Sequence, residues 1–100
     1  MIGGKSARSQ AVWILDIIEG ALKALDASLS DVVRTRIMVS RADLCDEVSR
    51  AHGHVFANAG VRPANTFVVA GLIGDEFLVE IEAYAEVGHA NNDVVRLTKT

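Results

Sequence analysis

Apolar and polar residues alternate most regularly between positions 77 and 87. Every second residue there is apolar, from Phe77 to Val87. The intervening positions carry Glu80, Glu82, Tyr84 and Glu86. Because successive side chains of a strand point to opposite faces of a sheet, this pattern predicts a strand with one apolar and one acidic face. We therefore expect a partner for the acidic face.

Helical periodicity predicts two amphipathic helices. The first covers about residues 6–25, with an apolar stripe at Ile14, Ile18, Ala21 and Leu25. The second follows a spacing from Ser40 to Asp43 that resembles a capping box. Its stripe comprises Leu44, Val48, Ala51 and Val55, and we expect it to end at 58–60.

Two other segments have the period of strands. Residues 32–39 alternate, with one face expected at Val33, Thr35, Ile37 and Val39 and the other at Arg34, Arg36 and Met38. Residues 66–70 form a short apolar run that predicts a strand. In the tail at 89–100, residues 94–98 are either an added edge strand or a frayed end.

The order helix, strand, helix, strand, strand predicts an α+β fold with one domain over residues 1–100. We expect two helices to cover one face of a small mixed sheet. The other face then carries Arg34 and Arg36 beside the glutamates of 80–86. Two interpretations of this face remain open. It is a hydrated surface with weak ion pairs, or it packs against copies of the same chain and lines a cleft.

Composition narrows the classes of function. A chain of 100 residues, half of them hydrophobic, buries a small core, and oligomerisation is a natural way to stabilise it. The net charge of -3, with scattered basic residues, argues against nucleic acid as a partner. A single cysteine, Cys45, forms no internal disulfide. We find no signal peptide and no apolar run of membrane-spanning length, so we expect a cytoplasmic protein.

No metal or cofactor is predicted. Cys45 and His52 share a helical face, but they lie beside an apolar stripe, where such residues are usually packing or surface positions. His52 and His54 are two residues apart and so point in nearly opposite directions on a helix. The glycines do not form a phosphate-binding loop.

Five segments, in order and spacing, point to a known family. They are 17–19, 29–36, 52–56, 62–64 and 79–83. Together they resemble the reactive intermediate deaminase family, also called the RidA, YjgF or L-PSP family, over about residues 10–87. The resemblance implies a chorismate-mutase-like two-layer sandwich, usually a homotrimer with clefts between subunits. It also implies hydrolysis of reactive enamines or imines to a carbonyl product and ammonia.

The resemblance also implies a set of site residues. Glu80 matches the family's glutamate, which acts as acid or base or positions water. Asn65 stands where deaminating members have an arginine that grips the substrate carboxylate. Asparagine donates hydrogen bonds but brings no charge, so we expect Arg34, Arg36 or Arg62 to take part in substrate binding.

Several functions follow from this match. The first is a deaminase-type hydrolase, which Glu80 favours. The alternative is a non-catalytic, trimeric scaffold with a metabolite-binding or regulatory role. Asn65 favours this alternative. Endoribonuclease, a label carried by other members, is a further alternative that the acidic balance argues against. In each case the expected partners are further copies of the chain and a small molecule.

The family resemblance leaves the start of the sheet unaccounted for. Family members carry more residues before the first helix, which form strands and a loop of the cleft. We expect those strands to be missing here. Either the chain is a truncated form, or residues 94–98 fill part of the exposed edge, or an assembly that differs from the usual trimer does so.

Overall fold

The computed structural model describes residues 6–74, 76–87 and 93–99. Two helices and four strands follow one another along these residues. They are α1 (Ala7–Ala24), β1 (Val32–Val39), α2 (Cys45–Asn58), β2 (Ala64–Val69), β3 (Val79–Val87) and β4 (Asp93–Lys99).

The four strands form one mixed sheet in the order β2-β1-β3-β4. Strand β1 is parallel to β2 and antiparallel to β3, and β3 is antiparallel to β4. Helix α1 packs on α2 and on β3. The predicted α+β arrangement is confirmed, and residues 94–98 belong to a strand that pairs with β3.

The hydrophobic core lies between the helices and one face of the sheet. In β3, the apolar side chains at alternate positions from Val79 to Ala85 are all buried against the helices. The predicted alternation of this strand is therefore correct. The largest fully buried apolar side chains come from both layers: Phe56, Ile14, Leu15, Ile18, Leu22, Ile37, Ile81, Val39, Val48 and Val79.

The start of β1 departs from the predicted alternation. Val33 was expected on the inner face, but it is 48% exposed, whereas Val32 is 3% exposed and belongs to the core. The pairing of β1 with β3 shifts register between Val32 and Arg34. A bulge adds one residue to a strand and reverses the facing of the residues before it, which explains the error. From Thr35 to Val39 the residues predicted to face inward, Thr35, Ile37 and Val39, are all buried, and Met38, predicted on the outer face, is also buried at 6% exposure although it is not part of the core cluster.

The predicted ends of the first helix also need correction. Leu25 was expected in the buried stripe, but α1 ends at Ala24 and Leu25 is exposed. The chain reverses at Asp26, which has a positive φ of 59°. Leu22 takes the buried position one turn earlier. At the other end, the Ser6 side chain caps α1 by accepting from the Ser9 amide at 3.0 Å.

The capping box predicted at Ser40 and Asp43 does not form. Helix α2 begins at Cys45, and Asp43 instead accepts from the Arg41 guanidinium at 3.1 Å. The Ser40 amide donates to the Leu78 carbonyl, which joins the end of β1 to the start of β3. The Ser40 amide is therefore used in the connection between the two strands, and Ser40 does not lie at the helix terminus.

A buried glutamine fixes the connection into β3. The Gln10 side chain donates to the Glu76 carbonyl at 2.6 Å and accepts from the Leu78 amide at 2.8 Å. These bonds tie residues 76–78 to α1 and satisfy backbone groups beside the core. The apolar stripe gave no indication of this role, because Gln10 is a polar residue at a core-facing position.

Candidate functional site

A pocket of about 280 Å³ opens between α2 and the segment that leads into β2. This volume suits a small metabolite. Among the described residues, no acidic side chain lines it, and Arg62 supplies the only formal charge. We call it the α2 pocket; its lining residues are Ser49, His52, Gly53, Phe56, Ala57, Val61, Arg62, Pro63 and Asn65.

A chain of hydrogen bonds runs along the floor of the α2 pocket. Thr35 Oγ1 donates to Asn65 Oδ1 at 3.1 Å and lies 2.8 Å from His52 Nε2. A hydroxyl has one proton, so a threonine that donates to Asn65 must accept from His52 Nε2–H. This arrangement assigns the tautomer of His52. It also leaves the Asn65 amide group, with its two protons, available to a ligand.

His52 is neutral in this setting. Its side chain is 7% exposed, and its ring lies 4.7 Å from the Phe56 ring, centroid to centroid. Burial disfavours the charged imidazolium and lowers the pKa of His52 below its usual value. A neutral imidazole with a proton on Nε2 has a lone pair on Nδ1, so Nδ1 is a hydrogen-bond acceptor.

The second ring nitrogen of His52 is Nδ1. This atom makes no hydrogen bond within the described residues. Among their enclosed side-chain nitrogens and oxygens, Ser40 Oγ alone lacks a partner. His52 Nδ1 is therefore not enclosed, and since His52 lines the pocket, we place this acceptor at the pocket surface.

Sequence reasoning assigned His52 to packing and missed its role. A usable signal was present, since Thr35 occupies an inward strand position and His52 lies on the buried side of α2. Two buried polar side chains need hydrogen-bond partners, and each can satisfy the other. The register between β1 and β2, which places Asn65 directly beside Thr35, supplies the third member.

The opposite face of the sheet, which we call the open face, has a different chemistry. Across β1 and β3, Arg34 is paired with Tyr84, Arg36 with Glu82 and Met38 with Glu80. The Arg34 guanidinium carbon lies 5.5 Å from the centroid of the Tyr84 ring. The Tyr84 hydroxyl donates to a carboxylate oxygen of Glu82 at 3.2 Å, and Glu82 is 6% exposed.

The predicted site residues are divided between these two faces. Arg62 and Asn65 line the α2 pocket, whereas Arg34, Arg36 and Glu80 project from the open face. Asn65 is in register with Thr35, and Glu80 is opposite Met38, three residues further along β1. That spacing is about 10 Å along a strand, in addition to the thickness of the sheet. A single chain therefore does not bring Glu80 to Asn65.

Metal and membrane chemistry find no support in the described part of the chain. Within residues 6–74, 76–87 and 93–99, no three His, Cys, Asp or Glu side chains are grouped closely enough to hold a metal ion. No helix there has the length and apolar character needed to cross a bilayer.

The fold defines a class of protein. Two helices on one face of a mixed four-stranded sheet form an α+β sandwich of the chorismate-mutase-like type. The sequence profile of the family described as endoribonuclease L-PSP matches residues 1–87. The chain belongs to this family, which is also known as the RidA or YjgF family. The expected family membership is thus confirmed.

Solved structures support the same assignment. Rv2704 of Mycobacterium tuberculosis, described as a member of the YjgF/YER057c/UK114 family, has 40% identity and a TM-score of 0.76, over 82% of this chain and 69% of that chain. A protein of unknown function from Pseudomonas aeruginosa, PA3499, has 33% identity and a TM-score of 0.75, over 80% of this chain and 57% of that one. No curated protein matches the sequence.

A third neighbour shows the fold alone. The YjgF gene product of Escherichia coli has a TM-score of 0.77 at 23% identity, over 82% of this chain and 65% of its own. The present chain thus spans less than two thirds of the length of PA3499 and of YjgF.

Proposed function

We propose that this chain hydrolyses small reactive imines or enamines at a cleft between subunits of a cytoplasmic homo-oligomer, with a trimer as the expected form. The observation that carries the proposal is the chemistry of the α2 pocket. Its polar groups include the Arg62 guanidinium and the Asn65 amide, and no carboxylate of the described residues lines the pocket beside them. This combination suits a small ligand that bears a carboxylate.

The reaction needs only water as a second substrate. The water oxygen bonds to the imine carbon, the carbon–nitrogen bond then breaks, and nitrogen leaves as ammonia after receiving both protons of the water. The product is a carbonyl compound. A carboxylate that takes a proton from water and passes one to nitrogen accelerates both steps, and Glu80 is the residue that we assign to this role.

The division of the site between two faces supports an intersubunit cleft. Asn65 and Arg62 lie on the helix side of the sheet, and Glu80 lies on the open face. When the open face of one copy approaches the α2 pocket of the next, Glu80, Arg34 and Arg36 of the first reach the pocket of the second. Each cleft then takes its binding groups and its acid/base from different chains.

A second candidate function is supported by Asn65. An asparagine in place of the family's arginine gives a neutral donor instead of a bidentate cation, which weakens the grip on an α-imino acid. The alternative is a non-catalytic scaffold that binds a metabolite in the same pocket. We do not propose the ribonuclease activity in the family's name, since Arg62 is the only cation of the pocket and the chain is acidic overall.

Subunit mixing tests both the activity and the shared cleft. We would measure ammonia release from an imino acid generated in the assay, for the wild type, Asn65→Ala and Glu80→Ala. Both variants are expected to lose most of the activity. When the two are unfolded and refolded together at equal amounts, about a quarter of the clefts of a randomly assembled oligomer carry both intact residues. We therefore expect recovery of about a quarter of the wild-type rate.

The outcomes separate the alternatives. A wild-type rate equal to the rate in buffer contradicts the hydrolase and leaves the binding scaffold. If Asn65→Ala and Glu80→Ala each lose activity and the co-refolded mixture recovers none of it, the shared cleft is contradicted. Refolded wild type, treated identically, corrects for losses during refolding.

A further inference from the structure

The hydrogen-bond chain of His52, Thr35 and Asn65 has a direction. The Thr35 hydroxyl donates a hydrogen bond to Asn65 Oδ1 and accepts a hydrogen bond from His52 Nε2–H. As a result, the two groups at the ends of this chain offer the α2 pocket a hydrogen-bond donor on one side and a hydrogen-bond acceptor on the other. Asn65 Nδ2 presents protons, and His52 Nδ1 presents a lone pair.

We propose that the α2 pocket selects ligands that carry an oxygen acceptor and an N–H donor on adjacent carbons. The oxygen, from a carboxylate, accepts from Asn65 Nδ2, and the N–H donates to His52 Nδ1. An α-imino carboxylate and a carbamoyl carboxylate have this pattern, whereas an α-keto acid lacks the donor. This inference rests on the proposed function and adds the basis of its specificity. His52 and Asn65 contact the ligand, and Thr35 is a positioning residue.

The selectivity follows from the cost of leaving polar atoms without partners. His52 is almost fully buried, so a ligand that covers Nδ1 without donating to it removes the water that otherwise bonds there. A site built to bond an N–H group discriminates strongly against an analogue without that group. Such a pocket binds the imine substrate in preference to the keto product, which favours product release.

Oxamate and pyruvate form a matched pair of probes, because they differ by an amino group in place of a methyl group. We would measure the Kd of each by calorimetry or by NMR titration. For the wild type, oxamate is expected to bind about tenfold more tightly than pyruvate. Thr35→Val removes the hydroxyl with little change of shape and is expected to abolish this preference. Thr35→Ser keeps the hydroxyl and is expected to retain it.

A control variant and a spectroscopic measurement complete the test. Thr66 is exposed on the other face of β2, so Thr66→Val is expected to keep the wild-type preference. The ¹⁵N shifts of His52 in the unmodified protein report its tautomer without any variant that must fold. We expect a proton on Nε2 and none on Nδ1.

Two results overturn the proposal. One is a proton on His52 Nδ1, because the chain then runs the other way and Asn65 presents its oxygen. The other is equal affinity of the wild type for oxamate and pyruvate. Failure of this inference is distinct from failure of the proposed function. Imine hydrolysis without a preference for oxamate rejects the inference alone, and a preference without hydrolysis rejects the catalysis alone.

Discussion

The two faces of the sheet use polar residues in opposite ways. On the helix-covered face, Thr35 is fully buried, and its hydroxyl bonds both His52 and Asn65. On the open face, its neighbours in sequence, Arg34 and Arg36, stand in a row with Tyr84 and Glu82. The covered face thus builds a complete pocket floor within one chain. The open face carries the exposed guanidinium of Arg34 and the partly exposed one of Arg36, and in the proposed assembly a second copy approaches it.

The contrast also explains why the site residues implied by family resemblance do not meet in one chain. Strand alternation fixes each side chain to one face, so Glu80 cannot turn toward Asn65 without a change of register. The two residues belong to one site only when another chain brings its open face to the pocket. Oligomerisation is then a condition of the proposed activity and not merely a source of stability.

The largest expected effect tests where the covered face begins in β1. Val32→Ala removes two buried methyl groups and leaves a cavity, so we expect a loss of about 2 kcal/mol in the free energy of unfolding. Val33→Ala makes the same chemical change at the exposed position beyond the bulge and is expected to stay within about 0.5 kcal/mol of the wild type. Urea unfolding measures both. Equal losses for the two variants would show that the bulge does not divide them.

Val32 and Val33 also show the limit of predicting the facing of strand residues from the sequence pattern. In β3, apolar and acidic residues alternate, so the facing of each residue was predictable from period alone. Two adjacent valines carry no such signal, and the extra residue of a bulge becomes visible only through pairing with β3. The order of the elements predicted the layers of the fold, with two helices on one face of the sheet, and the family resemblance implied the same arrangement.

The floor of the candidate site was harder to predict from sequence. Thr35, His52 and Asn65 come from β1, α2 and β2, and they meet only when the parallel register of β1 and β2 is known. Resemblance identified Asn65 as a position in the site, but it could not show that the carboxamide turns toward Thr35. Tertiary packing determines that orientation, and no local pattern encodes it.

A smaller effect tests the burial of His52 on the covered face. Because its pKa is lowered in the folded chain, the unfolded chain binds a proton more readily as the pH falls below about 6.5. The stability that the buried, neutral His52 ring contributes is therefore fully present above that pH. It is lost as the pH falls toward the folded-state pKa of His52. The contribution has a slope of at most about 1.4 kcal/mol per pH unit. Arg62 lines the same pocket.

Substitution of each helix histidine isolates this contribution. His52→Gln removes the titrating ring, so unfolding measured between pH 7 and pH 5 is expected to lose this part of its pH dependence. His54→Gln, at an exposed position of the same helix, is expected to keep the wild-type profile. If His52→Gln retains the full wild-type slope, the ring of His52 is not desolvated in the folded protein.

The smallest expected effect lies on the open face, where Arg34 stacks on Tyr84. Arg34 is exposed and Tyr84 is partly buried, and a solvent-exposed cation over an aromatic ring contributes about 0.5 to 1 kcal/mol. We expect a double-mutant cycle of Arg34→Met and Tyr84→Leu to give a coupling of this size, measured by urea unfolding at one protein concentration. The cycle removes the separate loss of the Tyr84 bond to Glu82, which occurs in both arms. In a parallel cycle, Tyr84→Phe keeps the ring, so its coupling with Arg34→Met should be near zero. A coupling as large with Phe as with Leu would assign the interaction to the hydroxyl, and the open face would then be organised by hydrogen bonds, like the covered one.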